Sequence, residues 1–351
     1  KATYQGETLD GAEALKRAGL KPVVLSSKEG LILLSGTTSV TAFASLAIYD
    51  AQTLSLTADI AGSFTLEVLK GTLMAMDERL MAVRPHPDQI NTAANIRAIL
   101  KDSPMLERYR GHRVQDALSI RCMPQLHGPV KKAVKDAQTA LAIELNSSVD
   151  NPLIFDEEDG GAVALMGCNA DGTYAGMASD NLCIAITDLC KMSNSRIDRL
   201  LNSLVSELPA FLNKNADFNN GLMMIQYASA GLQGELRILA HPAVVDNLTT
   251  CANQEDYVNM GYNAAKKAYD SMHLAKYILA AELICDGQAL DCYEDKCCAK
   301  GTQAIYDLLR TKVPEMDNDM PLTPYLEAVA QQIIDRAYIR TVEASVGELK
   351  F

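Results

Sequence analysis

The 351-residue sequence contains no tryptophan and only 6 phenylalanines, so aromatic side chains cannot form most of its core. Hydrophobic residues still make up 48% of the chain, and a core of that size must be built mainly from aliphatic side chains and methionine. Basic residues are also scarce, since 32 lysines and arginines face 44 acidic residues and leave a net charge of −12. This balance argues against a surface that binds nucleic acid or an anionic membrane.

An export signal and a long apolar run are lacking as well, so no membrane span is expected. The 9 cysteines are odd in number and scattered, which indicates reduced thiols in a cytoplasmic protein. Those within 285–298 lack the paired C-x2-4-C elements of a zinc site, and no histidine lies near them. We therefore expect structural thiols at a helix end, and we assign no metal.

Helical periodicity dominates the chain. Residues 37–69 contain no proline, one glycine and few charges, so they predict one long helix that is buried on most sides. Prolines, among them Pro124, mark the expected ends of elements. Further long helices are predicted near 129–147, 173–206, 221–239, 262–285 and 323–346.

One short segment departs from the helical pattern. Residues 152–167 contain two apolar stretches around the acidic turn 156-DEEDGG-161, which predicts a small β-hairpin with a solvated turn. No linker or repeat divides the chain, so we predict a single all-α domain over 1–351, an elongated bundle of long central helices. So much apolar helix surface also predicts that helices of other subunits complete the bundle.

Two polar clusters come first along the chain. Residues 35-SGTT-38 precede the longest predicted helix, where they either cap it or contact an anion at its positive end. In the second cluster, Gln115, Asp116 and Arg121 are interleaved with apolar residues. Arg121 either forms a structural pair with Asp116 or binds the carboxylate of a ligand, which its planar guanidinium suits.

Two more clusters follow. In 144-ELNSSVDNP-152 the Asp-Asn-Pro sequence predicts a turn, but the turn leaves Glu144 and Asn146 unexplained. The stretch 253-NQED-256 lies between mostly apolar segments. A buried Glu255 would have a raised pKa, which suits a general base or a partner for a cationic substrate group. Asp256 could cap the following helix. Alternatively, both Glu255 and Asp256 are simply solvated.

Taken in order, these clusters resemble the aromatic amino acid lyase family, and its histidine branch rather than its phenylalanine or tyrosine branch. The resemblance implies an all-α homotetramer with active sites built from several subunits at helix ends. It also implies elimination of an amine and a β-proton from an amino acid, which leaves an α,β-unsaturated acid. The matching stretches are KEGLILLSGTT, RPHPDQ, VQDALSIRC, ELNSSVDNPLIF, MGCN, LAHPAVVD and NQEDYV.

The family's electrophile is MIO (4-methylideneimidazol-5-one), which forms from an Ala-Ser-Gly triad. This sequence has no such triad, and Ala61-Gly62-Ser63 has the wrong order. In the family the triad lies upstream of the stretch that resembles 1-KATYQG-6. We therefore expect the chain to correspond to about the C-terminal two thirds of a lyase. MIO is expected only where an upstream segment or a separate N-terminal chain supplies the triad.

The resemblance also assigns roles to individual residues. Gln115 would contact the substrate, Arg121 would hold its carboxylate, and Glu255 would face its imidazole or amine. Asn169 would make a further carboxylate contact. We expect Glu255 to face a cavity that it shares with Arg121 and Gln115.

Other site positions depart from the family pattern. Ser35 stands where asparagine is usual, Leu118 where tyrosine is usual, and Ala170 where phenylalanine is usual. Unpaired buried polar groups cost about 1–3 kcal/mol each, so such changes indicate a site adapted to another ligand. The open alternatives are a lyase of histidine metabolism, a MIO-free eliminase that releases trimethylamine from a betaine such as ergothioneine, and a non-catalytic relative used for assembly or ligand binding.

Overall fold

The computed structural model describes residues 1–215 and 218–351, which divide into two compact units. The small unit comprises Lys1–Thr38 and Ser148–Asp171, and the helical unit comprises Ser39–Ser147 and Gly172–Phe351. The single domain over 1–351 stays a prediction, since this division does not establish whether either unit folds without the other.

Helices dominate the chain, which confirms the all-α fold class, and none in the described part is long and apolar enough to cross a membrane. Short 3₁₀ turns occupy Leu73–Met76, Ala210–Leu212 and Cys251–Asn253. The α-helices are α1 (Gly11–Arg17), α2 (Glu29–Ile32), α3 (Thr38–Val68), α4 (Glu78–Ala82), α5 (Pro87–Ile99), α6 (Pro104–Arg108), α7 (Leu118–Arg121), α8 (Met123–Glu144), α9 (Thr173–Leu201), α10 (Ser203–Ser206), α11 (Met223–Leu239), α12 (Gly261–Asp291), α13 (Lys300–Arg310), α14 (Thr323–Ile334) and α15 (Ala337–Val346).

The small unit contains two antiparallel hairpins. β3 (Leu153–Asp156) pairs with β4 (Ala162–Leu165), and their connecting turn is exposed, so the predicted hairpin and its solvated turn are confirmed. β1 (Ala2–Tyr4) pairs with β2 (Glu7–Leu9), a hairpin that the sequence did not predict. Its strands are only three residues long and lack an apolar alternation, so no period-2 signal was available.

Some predicted helix ends differ from the observed ones. α8 begins at Met123 rather than near 129, because Pro124 occupies its first turn instead of ending an element. The predicted helix 173–206 is divided between α9 and α10. The predicted helix 323–346 is interrupted where Arg336 adopts a left-handed φ of 57° between α14 and α15.

The helices α3 and α12 run parallel through the core of the helical unit. Near their starts the rings of Phe43 and Tyr262 lie 5.7 Å apart. Near their ends the hydroxyl of Thr65 donates to Asp286 at 2.7 Å. From Leu54 onward the residues of α3 have almost no exposed surface, which confirms a helix buried on most sides.

The helix α9 lies alongside α12 in the same direction. An ion pair of 2.8 Å joins Asp180 to Lys267 near the two starts, and Arg196 meets Glu282 farther along. We call the end at which α3, α9 and α12 begin the N-terminal end of the bundle, and the opposite end its C-terminal end. Every candidate residue of the helical unit lies near one of these two ends.

Candidate functional site

Gln115, Leu118 and Arg121 lie together at the C-terminal end of the bundle. α7 turns tightly here, with the N–H of Arg121 donating to the carbonyl of Ala117 at 3.0 Å. Gln115 is exposed, Leu118 is 61% exposed, and Arg121 is half-buried. Leu118 and Arg121 belong to α7 and Gln115 lies just before it, so the three side chains come from one short segment.

Arg121 has a buried Nε that makes no hydrogen bond within the described residues. Its expected structural partner, Asp116, accepts a hydrogen bond of 2.8 Å from the backbone N–H of Thr72 instead. Burial raises the pKa of the Asp116 carboxyl, against the Thr72 N–H and the charges of Arg113, Arg199 and Arg121. Arg121 is thus close enough to Asp116 to attract its charge, yet keeps a donor available for another acceptor.

Glu255 lies in an exposed and strained loop that precedes α12. Each residue of Cys251–Asn253 has a positive φ, between 49° and 71°, a conformation that side chains disfavour. The N–H and hydroxyl of Thr250 donate to the backbone oxygen and carboxylate of Glu255 at 2.8 Å and 2.7 Å. Such strain is common at functional sites, and here it accompanies a carboxylate held in a defined position.

Of the alternatives left open for Glu255 and Asp256, a single chain shows the solvated one. Glu255 is exposed in a single chain, so its expected burial is not provided by its own subunit. Asp256 is exposed and does not cap α12, because the N–H of Gly261 at the start of α12 donates to the side chain of Asn259 at 2.8 Å. Asp256 instead accepts a bond at its backbone oxygen from Asn247.

The two groups of candidate residues lie at opposite ends of α9. The carbonyl of Ser119 in α7 accepts a hydrogen bond of 3.3 Å from Arg196, toward the end of α9. Tyr257, which follows Glu255 closely in sequence, has its hydroxyl 3.4 Å from that of Thr173 at the start of α9.

The length of α9 separates these contacts. At 1.5 Å per residue, the helix from Thr173 to Arg196 is about 35 Å long. Gln115, Arg121 and Glu255 therefore do not share a cavity within one chain, and a cavity shared between copies stays a prediction. A site that contains all three needs residues from at least two copies.

The remaining candidates belong to the small unit. Ser35 is half-buried after α2, and Gly36 follows it with a φ of 80°. A Cβ on Gly36 would lie 2.3 Å from the carbonyl oxygen of Val149, so only glycine fits there. Asn169 is exposed and Ala170 is half-buried. Their contribution to a ligand site stays a prediction.

The Asp-Asn-Pro turn of the small unit has a structural explanation. Asp150 forms an ion pair of 2.5 Å with Lys28. The hydrogen bond from Lys28 and a backbone N–H lower the pKa of the Asp150 carboxyl. Asn151 accepts a bond from the N–H of Gly167 at 2.8 Å, which ties the turn to the end of β4. In the helical unit, Glu144 keeps a buried Oε2 without a partner among the described residues.

No group of three or more histidine, cysteine or acidic side chains in the described part of the chain is placed to hold a metal ion. The cysteines are free thiols. Cys285 is buried within α12 and Cys292 follows its last residue, as expected of structural thiols at a helix end.

Two fully buried charged groups were not singled out from the sequence. Asp59 contacts His127 at 2.8 Å and Lys131 at 2.5 Å; burial would raise its pKa, but these neighbours lower it overall. Arg196 and Glu282 form the second group. An available signal was the isolated acid in 279-LAAELIC-285, because an unpaired charge in such an apolar helix would be costly.

The model of the aromatic amino acid lyase family matches residues 1–311. Histidine ammonia-lyase from Alkaliphilus oremlandii is 41% identical over 345 residues, 98% of this chain and 68% of that protein. The crystal structure of histidine ammonia-lyase from Trypanosoma cruzi matches with a TM-score of 0.88 and 32% identity, over 96% of this chain and 64% of that one. The crystal structure of ergothionase from Treponema denticola matches with a TM-score of 0.86 and 25% identity, over 96% of this chain and 67% of that one. The chain spans about two thirds of these relatives' length.

Proposed function

The chain belongs to the aromatic amino acid lyase family, and on that premise we propose that it forms the major part of a carbon–nitrogen lyase acting on histidine or a closely related imidazole amino acid. The observation that carries the proposal is the buried Nε of Arg121, which has no partner among the described residues. A guanidinium with an unused donor, half-buried beside exposed Gln115, is suited to the carboxylate of an amino acid.

The elimination breaks the Cα–N bond and the Cβ–H bond of the substrate. The amine leaves with the electrons of the first bond, and the electrons of the second form the carbon–carbon double bond. We assign Arg121 to the substrate carboxylate and Glu255 to the imidazole or the amine, or to the proton that is transferred. Gln115, Asn169, Ser35, Leu118 and Ala170 would line the same site.

The separation of Arg121 from Glu255 supports a site that forms between subunits. We propose a homo-oligomer, a tetramer by analogy with the family, in which Arg121 of one copy approaches Glu255 of another. Exposed apolar residues near the start of α9, such as Tyr174 and Met177, provide surface for such contacts. The free thiols favour a cytoplasmic location.

The residues of this chain do not fit the formation of MIO. The tripeptide Ala61-Gly62-Ser63 lies buried inside α3, where the hydroxyl of Ser63 donates to the carbonyl of Asp59 at 2.6 Å. A buried helical segment cannot cyclise as an exposed loop would. MIO chemistry would thus depend on an Ala-Ser-Gly triad from outside this sequence.

A MIO-free eliminase is the second candidate. Leu118 replaces the family's tyrosine and cannot exchange a proton, and the structural match to ergothionase is strong. Ergothioneine carries a trimethylammonium group, a better leaving group than an amine, so its elimination needs no amine-activating electrophile. Its carboxylate and imidazole-derived ring present the features assigned to Arg121 and Glu255.

One experiment separates these candidates. The protein is purified with any chain that accompanies it, its components are identified by intact mass, and it is incubated separately with L-histidine and ergothioneine. Ammonia with an unsaturated imidazole acid supports the histidine lyase, while trimethylamine supports the second candidate. Release of neither amine would contradict both and favour a non-catalytic subunit used for assembly or ligand binding.

A further inference from the structure

A fully buried ion pair connects α9 to α12 beneath the candidate site. Neither Arg196 nor Glu282 has exposed surface. The Nε of Arg196 donates to Oε1 of Glu282 and its Nη2 donates to Oε2 at 3.0 Å, so the contact is bidentate. The hydroxyls of Ser193 and Thr65 also lie within hydrogen-bond distance of the Glu282 carboxylate.

The third guanidinium nitrogen of Arg196 takes no part in the contact with Glu282. Its Nη1 donates to the carbonyl oxygen of Ser119 at 3.3 Å. Ser119 lies inside α7, between Leu118 and Arg121. The last carbonyls of a helix have no partner within the helix, and α7 has only 4 residues, so a donor from outside the helix can fix its position. Arg196 supplies one from the core.

The environment keeps this guanidinium in one orientation. Position 62 of α3 must be small, since a Cβ there would lie 2.3 Å from the sulfur of Met123 and 3.4 Å from Cζ of Arg196. Burial and the charge of Glu282 raise the pKa of the Asp286 carboxyl well above its usual range. This shift favours the protonated form of Asp286, and the bidentate contact of Arg196 goes to Glu282.

Stability alone does not account for such a pair. Replacing a buried ion pair with apolar residues of similar volume is often neutral or stabilising, because desolvation offsets the attraction between the charges. The planar guanidinium of Arg196 instead joins α9 and α12 to α7, and so it can fix the position of α7.

We propose that Arg196, oriented by Glu282, is a positioning residue that holds α7 so that Arg121 faces the substrate carboxylate. The inference rests on the proposed function for the role of Arg121. The link from Glu282 through Arg196 to Ser119 is independent of that role.

The test compares Arg196→Lys with Ser193→Ala in the complete protein. Lysine keeps the charge but cannot hold Glu282 bidentately while donating to Ser119. Ser193→Ala removes another hydrogen bond to the same carboxylate and leaves the contact with Ser119. We expect Arg196→Lys to increase hydrogen exchange at the amides of Arg121 and Cys122, which bond within α7, and Ser193→Ala to leave it unchanged.

The second readout is L-histidine binding by calorimetry. Arg196→Lys should weaken it on the order of tenfold, because small displacements of a positioned group are costly, and should raise KM more than it lowers kcat. If the lysine variant does not fold, the double variant Arg196→Met with Glu282→Met removes both buried charges and has the same expected effects.

The outcomes distinguish this inference from the proposed function. Unchanged exchange in α7 would overturn the positioning role whatever the substrate is. Faster exchange with unchanged histidine binding would overturn the link from α7 to the carboxylate. A wild-type protein that binds no histidine would contradict the proposed substrate, while the exchange comparison would still decide whether Arg196 holds α7.

Discussion

Arg121 is a half-buried cation whose Nε has no partner among the described residues, and desolvating such a donor has a free-energy cost. Natural structures seldom leave a buried donor without an acceptor unless a ligand provides one. The same residue was singled out from sequence because an arginine among apolar residues needs a carboxylate. Within the described residues no ion pair joins Arg121 to Asp116, whose Oδ2 accepts a hydrogen bond from Thr72, so the structure favours the carboxylate of a ligand as the partner of Arg121.

Arg121→Lys tests this assignment. Lysine keeps the positive charge but loses the bidentate geometry, so KM for L-histidine should rise about tenfold while the fold is retained. Steady-state kinetics and thermal unfolding measure the two effects. Arg110→Lys is the matched control, because Arg110 forms an exposed pair with Glu107 and should leave KM unchanged. An unaltered KM in the Arg121 variant would remove it from the carboxylate site.

Glu207 gives a prediction for the dependence of stability on pH. Hydrogen bonds from Lys70, Arg113 and His112 lower its pKa from 4.5 to about 2. A carboxyl with a lowered folded-state pKa stabilises the fold above its unfolded pKa, and this contribution is lost as the pH falls through the folded value.

Glu207→Gln should therefore destabilise the protein at pH 7 by about 1 kcal/mol or less, since the carboxylate is partly exposed and screened. The difference from wild type should shrink below pH 4.5 and vanish near pH 2. Urea unfolding across this range measures it. Glu107→Gln, which removes a fully exposed pair, is the control. A difference that stays constant with pH would rule out the charge as its origin.

At the scale of elements, the packing of α3 against α8 and α9 depends on Gly62. Gly62→Ala should cost about 1–3 kcal/mol, because the new methyl group must displace the side chain of Met123. Gly234→Ala in α11 is the matched control: its Cβ would meet nothing within 4 Å, so it should stabilise the helix slightly. Denaturant unfolding compares them. Equal effects of both changes would show that the core accommodates the methyl group freely.

The long helices could be predicted because their apolar residues recur at helical spacing over many turns. α3 and α12 are found close to where the sequence places them, and the hairpin of β3 and β4 is found within 152–167. The hairpin of β1 and β2 could not be predicted, since strands of three residues are too short to carry a periodic signal. The break at Arg336 depends on one backbone conformation that no residue pattern reveals.

The candidate site could be predicted from the sequence only in part. Local spacing places Gln115, Leu118 and Arg121 within one short segment, and their role in one site stays a prediction. The distance between Glu255 and Arg121 depends on the parallel packing of α9 and α12. Such packing is set by tertiary contacts, which a sequence pattern does not reveal. The ion pair of Arg196 with Glu282 likewise joins residues far apart in sequence. The spacing of apolar residues along the chain does not predict such pairs.

At the scale of the whole molecule, the expected family and enzyme class are confirmed, because the family model covers most of the chain and the matched relatives are lyases. Within one chain Arg121 and Glu255 lie at opposite ends of a helix segment about 35 Å long. Activity must therefore depend on assembly if both residues serve one substrate. Dilution that dissociates the proposed oligomer should abolish turnover without unfolding the subunits, a result that size-exclusion chromatography with circular dichroism can check.

The most direct measurement is complementation between two inactive variants, Arg121→Ala and Glu255→Gln, combined in mixed oligomers and assayed for amine release. Sites that take Arg121 from one variant and Glu255 from the other are intact, so about a quarter of wild-type turnover should return under random mixing. The control pairs Arg121→Ala with Gln115→Ala, which alter the same segment and should restore nothing. Recovery only in the first mixture would support a lyase site shared between copies. No recovery in verified mixed oligomers would contradict it.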